Sequence, residues 1–450
     1  MLSQFSDEPR KIFILDRIQY DMIFFCKKPV SLKKTGFCEE ETMNYTPTEE
    51  HLIEAMERME IVDAHEHLPP ESSRTNAEVD VLTLFSHYTR TDLITAGMKP
   101  EEYDRMFDQS IALSERWKLF RPHLENIRYG SYARPAFIAA KEFYGYDDIN
   151  DDTYEAISGR MAAANTPGIY DRVIREKCNI KVCLTQAGRT DFDRNYLIPL
   201  MPLDIYGSVS SAEEVTKKAD DLQMQVSHLD DYLELANRGV NKWKSEGAVG
   251  LKMSTRPSTS PDQKAAEEQF SKLLSGEKAD MRTINNFLMH KMLDIAAELD
   301  MVVAVHTGMW GDFRTLDPKF MISIVPQHPE TRFDIYHLGM PWVRETAVIG
   351  KNFPNVWLNF CWCHIISPKM TCSVLDEVID LVPMNKILGF GGDYSKPVEK
   401  IYGHLVMARE DIATVLGGRI DRGLMNMDEA VCIAQKWLVD NPRELYKLDM

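Results

Sequence analysis

The chain has 450 residues, 44% of them hydrophobic and 27% charged, a composition of globular proteins rather than of disordered or fibrous ones. Its 52 basic and 69 acidic residues leave a net charge of -17, which argues against nucleic acid or an anionic membrane surface as partner but leaves room for a local pocket of opposite sign that takes an anionic substrate. No apolar run reaches the ~20 residues of a membrane span, the mixed, charged N-terminus does not read as a signal peptide, and eight cysteines in this length are too sparse for a disulfide scaffold, so reduced thiols in a cytoplasmic protein are expected.

Residues 1–50 read as an N-terminal extension. From 51 to 450 one unit type recurs: a helical stretch, then a short apolar run that ends in a polar residue. The runs lie at 59–65, 179–186, 197–205, 248–254, 301–308, 332–339, 355–361 and 387–394. Each is nearly continuous in apolar residues, as parallel strands covered on both faces require. Helical patterns separate them at 211–247, 284–300, 341–354 and 368–383, and Ser211 is placed at the first N-cap or one residue from it. Residues 68–165 are too long for one crossover. They are expected to form a helical insertion, with helical stretches at 80–97, 101–130, 133–145 and 151–164. Eight strands alternating with helices predict an α/β fold, a (β/α)₈ TIM barrel, rather than an open doubly wound sheet, and no Gly-x-Gly-x-x-Gly follows the first strand. An insertion after a barrel strand emerges at the strands' C-terminal face, where it is expected to wall or cover the site.

The polar residues at the strand ends are the candidates for chemistry. The first run delivers His65 and His67, which share a facing because residues two apart on a strand point the same way. The fourth delivers Lys252, the fifth His306, the sixth His337 and the eighth Asp393. In a barrel these ends converge on one mouth. Two imidazoles and a carboxylate suit a divalent ion: zinc first, with manganese, iron or nickel admitted. Asp393 follows two glycines and can both hold a metal and accept a proton. Lys252, on an otherwise apolar strand, has four readings: an anion partner, an acid/base group with lowered pKa, a carbamylated bridge between two metals, or a buried stem with its head at the rim. Arg256 is a candidate for bidentate binding of a substrate carboxylate, and Trp310 and Arg314, in the loop after His306, are candidates for substrate contact. The Cys361 to His364 cluster lacks the spacing of a zinc site and reads as wall of the seventh strand.

The set His-x-His, Lys, His, His and Asp, together with the stretches "HTGMWGDFR" (306–314) and "NKILGFGGDY" (385–394), resembles the amidohydrolase superfamily. The likeness is greatest to its family 2 branch, with the nodulin and FluG-type domains, and the long insertion also resembles that of uronate isomerases. The resemblance covers about 50–450. It implies a barrel with one or two metals at the strand ends: His65, His67 and Asp393 on the first, His306 at or beside it, and His337 on a second metal or polarising the substrate. If Lys252 is carbamylated, then Lys252, His306 and His337 would hold the second. The function so implied is hydrolysis of an amide, lactone or ester of a small polar carboxylate, with Asp393 taking a proton from a metal-activated water and Lys252 or His337 stabilising the oxyanion. An isomerase or decarboxylase on the same cradle is the alternative within enzymes, and an inactive barrel scaffold the alternative outside them. A small-molecule substrate and a homo-oligomer are expected.

Overall fold

The computed structural model describes residues 45–449, apart from 255, 258 and 259. The expectation for residues 1–50 falls largely outside the described residues.

Eight parallel strands form one sheet in sequence order: β1 (Ile61–Glu66), β2 (Ile180–Thr185), β3 (Leu197–Pro202), β4 (Gly250–Met253), β5 (Val302–His306), β6 (Arg332–Tyr336), β7 (Val356–Asn359) and β8 (Ile387–Leu388). Each expected run contains one of them. The eighth differs most: only Ile387 and Leu388 are strand, and the chain from Gly389 to Asp393 continues without regular structure. That irregular segment closes the barrel. Ala64 N donates to Phe390 O (3.1 Å), Asp393 N to His65 O (2.9 Å) and His67 N to Tyr394 O (3.0 Å).

The interior is packed and not a pore. Val62, Ala64, Val182, Leu184, Leu200, Val302, Ala304 and Leu388 meet Leu445, Tyr446 and Leu448 in one apolar cluster, so the C-terminal segment stoppers the barrel. The outer faces of the strands pack on the surrounding helices in a larger cluster. That two-sided burial is why the strands read as unbroken apolar runs and not as alternating ones. The longest crossover pattern, 211–247, is two helices, Ala212–Asp221 and Leu229–Ser245. Ser211 is the N-cap of the first, accepting from Glu214 N at 3.2 Å.

Between β1 and β2 the insertion has its own core, built around Leu82, Phe85, Phe120, Leu124 and Ile157. The stretch 80–97 is not one helix. A 3₁₀ turn, Val81–Phe85, is separated from the helix Thr89–Thr95 by Ser86, His87 and Tyr88, with His87 at φ 64°. The six described cysteines are all free thiols. Among the described residues no helix is long and apolar enough to cross a membrane.

Candidate metal centre

Strand β1 does more than alternate. Val62 and Ala64 line the barrel interior, yet His65 also faces inward, its ring 4.3 Å from that of Tyr336. A break in the β1–β2 register between Asp63 and Glu66 accommodates this change of phase. The same break turns the acids of "VDAHEH" into staples. Asp63 Oδ1 accepts from His65 N (3.1 Å) and Gly392 N (3.2 Å), and Glu66 Oε2 accepts from Tyr394 N (2.6 Å). Burial, ahead of other causes, pushes Asp63 up to about 7 and Glu66 well above its ordinary value, the neighbouring Asp63 carboxylate adding to the rise in Glu66. The glycines before Asp393 make the approach possible. A Cβ on Gly391 would lie 2.5 Å from Cys361 Cβ, and one on Gly392 2.0 Å from Glu66 Oε1.

His65, His67 and Asp393 are drawn together, with one ligand atom from each lying within 4.8 Å of the others. Asp393 Oδ1 lies 3.2 Å from His65 Nε2 and 3.3 Å from His67 Nε2, and Oδ2 lies 3.8 Å from His337 Nε2. His67 Nδ1 is 2.8 Å from the carbonyl of Gln186. A carbonyl only accepts, so Nδ1 carries the hydrogen and Nε2 of the neutral ring presents a lone pair to a carboxylate oxygen. Two lone pairs facing each other call for a cation between them. The rings hold protons poorly: burial lowers His67, and it lowers His65 to about 3 despite the raising field of Asp393. Both ring nitrogens of His65 are buried without a hydrogen-bond partner. Burial alone would raise Asp393, but His65, His337 and His67 around it hold it well below the usual carboxylate range. Neutral imidazoles and an ionised carboxylate with orphaned donor atoms fit a divalent ion.

His337 and His306 form a second pair. His337 Nδ1 donates to Cys361 O (3.1 Å), leaving Nε2 to accept from His306 Nδ1 (3.1 Å). This leaves His306 Nε2 as a buried lone pair with no partner, on the cavity wall. His337 thus orients His306. Lys252 is buried, with Nζ 3.9 Å from the centre of the Tyr336 ring. Burial lowers its pKa to about 8, against the raising field of Asp393.

These groups border a cavity of about 450 Å³, lined by His67, Lys252, His306, Trp310 and Asp393 together with His87, Tyr88, Gln186 and Trp362. Tyr88 lines the same cavity as Asp393, and its hydroxyl is pushed well above its ordinary value by burial first and then by that carboxylate. Its ring stacks on Trp362 at 4.4 Å and on Tyr132 at 5.5 Å. Burial lowers His87 to about 4, and its Nδ1 has no partner. Four residues at this site hold left-handed backbone: His87 (φ 64°), His337 (62°), Trp362 (65°) and Asp393 (61°). Left-handed backbone costs non-glycine residues energy and recurs at functional sites.

Of the other sequence candidates, Arg256 lies with its guanidinium 4.5 Å from the Phe320 ring centre, and its charge helps lower His306. Arg314 is not brought to the cavity. Its side chain is 83% exposed and grips Asp312 through two hydrogen bonds of 2.8 and 2.6 Å in its own loop. Cys361 and Cys363 are buried wall residues, as read from the sequence. Sequence reasoning did not single out His87, Tyr88, Gln186 or Trp362. The one legible signal was "SHYT", a polar break inside an otherwise helical pattern.

A fold of this kind, with imidazoles and a carboxylate at the strand ends, is that of metal-dependent barrel enzymes. The Amidohydrolase family model matches residues 210–448, more than half of the chain, and the chain belongs to that family. It is 22% identical over 229 residues to Protein fluG of Emericella nidulans, covering 48% of this chain but only 26% of that protein. It is 20% identical over 453 residues to the uronate isomerase of Nostoc punctiforme, covering 88% of this chain and 94% of the relative. The crystal structure of a uronate isomerase from Thermotoga maritima superposes with a TM-score of 0.74 at 16% identity, over 92% of this chain and all of the other. At that identity the likeness shows the fold.

Proposed function

We propose that the protein is a metal-dependent isomerase of small sugar acids, of the aldose–ketose type that acts on uronates. The observation that supports it is the insertion. It sets His87 and Tyr88 over the His67–Asp393 side of the cavity, and the likeness to uronate isomerases runs through the insertion as it runs through the barrel.

His65, His67 and Asp393 would hold one divalent ion, with zinc the first to test and His306 Nε2 beside it. When bound, such an ion supplies Lewis-acid polarisation of a substrate carbonyl. Lys252 faces the substrate's anionic end. In the open-chain aldose the proton on C2 passes to a base, and the C–H electron pair becomes the C1=C2 bond of an enediol as O1 gains a proton. The proton then returns to C1 while the O2–H opens to the ketone, so no oxidant or reductant is needed. Asp393, ionised and on the same cavity wall as Tyr88, is the base in this scheme. His87, neutral at pH 7, accepts from a substrate hydroxyl. Trp362 and Tyr88 present a stacked aromatic wall that keeps water from the reacting carbons.

The test is incubation of metal-loaded protein with glucuronate and galacturonate in D₂O, followed by proton NMR. Formation of the ketose is the expected result, with deuterium entering C1 to the extent that the transferred proton exchanges with solvent. Hydrolysis of amides, lactones and esters of small carboxylates is the second reading, favoured by the family description and by an ionised Asp393 beside the histidines proposed to hold the metal. A parallel panel of lactones and N-acyl amino acids separates the two: turnover there without uronate isomerisation would replace the first reading by the second.

A further inference from the structure

The cavity at the strand ends shares part of its lining with a neighbour. This neighbour, of about 710 Å³, lies beneath the insertion and shares His67, His87 and Ser395 with the first. Each alone falls within the ~300–1,000 Å³ that holds a drug-sized ligand. A single sugar acid is smaller than that, and its reacting end is confined to the inner chamber by the histidines and Asp393. The outer chamber is therefore larger than that substrate needs.

Its lining has a definite chemistry. Tyr103, Phe107 and Tyr170 give it aromatic surface, of the kind that packs against the C–H face of a pyranose. Much of its polar lining is already engaged. Arg74 is tied to Glu399 at 2.6 Å, Gln109 accepts from Arg116 and donates to Asp80, and the Tyr170 hydroxyl donates to Pro69 O. Lys396 is different. It lines the chamber, is exposed, and makes no ion pair among the described residues. It is an unpaired ammonium on the lining of a chamber in a chain whose net charge is -17. Glu78, also exposed on the lining, is the chamber's acid and can accept from sugar hydroxyls.

We propose that the outer chamber is a subsite for a second, acidic sugar ring, so that the substrate is a di- or oligouronide and not only a free monosaccharide. This rests on the isomerase reading above. Isomerisation needs a free reducing end, so the terminal ring opens in the inner chamber with its C1 carbonyl among the histidines. The glycosidic bond at its far side stays intact and leads past His67, His87 and Ser395 into the outer chamber. There the next ring lies against the aromatic residues, and its carboxylate pairs with Lys396.

The experiment is calorimetry on metal-loaded protein with probes that cannot be isomerised: 4-linked digalacturonate and diglucuronate reduced at the free end, each against the corresponding one-unit aldonate. At least one two-unit probe should bind tenfold or more tighter than its one-unit partner. Lys396→Ala should remove most of that gain and leave aldonate binding unchanged, and Phe107→Ala, checked for unaltered melting, should remove part of it. Equal affinity for one and two units in both series would overturn the subsite, as would a gain untouched by Lys396→Ala. The isomerase reading fails separately, if neither free monouronates nor free diuronates are converted. A two-unit gain that depends on Lys396 would then still establish the subsite on its own.

Discussion

At the mouth of the barrel, His65 carries two buried ring nitrogens without a hydrogen-bond partner and His306 carries one, whereas deeper in, Asp334, whose Oδ1 is also unpartnered, has its Oδ2 accept from both Tyr446 (2.7 Å) and Asn359 (2.9 Å). The two regions are joined by a single ring: Tyr336 lies 4.3 Å from His65 on one side and has its hydroxyl 3.4 Å from that of Tyr446 on the other. The mouth keeps donor atoms unsatisfied and backbone strained. The floor is closed by the chain's own C-terminal residues. A cluster of orphaned imidazole nitrogens beside an ionised carboxylate is what a ligand can satisfy, whereas the bonds to Asp334 Oδ2 close within the fold. The mouth is accordingly assigned to chemistry and the floor to stability, a division that measurement can break.

The largest effect is expected at the mouth. His65→Ala with His67→Ala should lower metal affinity by ~100-fold or more, since even outer partners of metal ligands are worth ~10–100-fold. Metal analysis after purification without chelator reads this, and circular dichroism should show the fold retained. Metal content equal to wild type would remove the assignment. Asp393→Asn should come next, with turnover falling roughly 10²–10⁴-fold, the usual worth of a general base. Near-normal turnover would mean that the base lies elsewhere in the cavity.

At the floor, Tyr446→Phe deletes a buried hydrogen bond to a carboxylate. It should cost about 1–3 kcal/mol of stability, read by urea denaturation, with kcat/KM changed by no more than a small factor. A collapse of activity with stability intact would show that the floor acts on the site through Tyr336 and would dissolve the division.

The most gradual effect is a pH slope. Burial, the largest cause, pushes Asp334 up to about 7 from an ordinary 3.8, against the lowering hydrogen bonds of Tyr446 and Asn359. The folded state therefore keeps a proton that the unfolded chain releases near pH 4. This contribution to stability is present at low pH and is lost as pH rises from about 4 to about 7, by at most ~1.4 kcal/mol per pH unit. Asp334→Asn mimics the protonated carboxyl and should flatten that slope in the difference between variant and wild type.

Much of this architecture could be read before any coordinates. The eight apolar runs each contain a strand because a strand covered on both faces must be apolar throughout. The His-x-His pair and Asp393 lie together because their strands are neighbours across the barrel's closure. Other features resisted. The helical periodicity of 80–97 concealed the break at His87, whose left-handed backbone no propensity scale marks, and with it went Tyr88. The loop after His306 was read as one surface, yet Trp310 reaches the cavity while Arg314 pairs with Asp312 in its own loop. A loop's side-chain directions depend on neighbours that local pattern does not encode.

What the chain alone determined was the parallel barrel, the long insertion after its first strand, and a set of imidazoles and a carboxylate at the strand ends. Those features rest on period, length and residue type, all of which are local. The tertiary structure decided what is contingent on long-range packing. The register break aims His65 inward. The hydrogen bonds from His67 to Gln186 and from His337 to Cys361 choose the tautomers that leave Nε2 of His67 and of His306 bare. The insertion's fold brings His87 and Tyr88 to the candidate metal centre, where His67 lies twenty residues before His87 in the chain. A lone pair's direction is fixed by the partner opposite it, and that partner is set only once the barrel has closed.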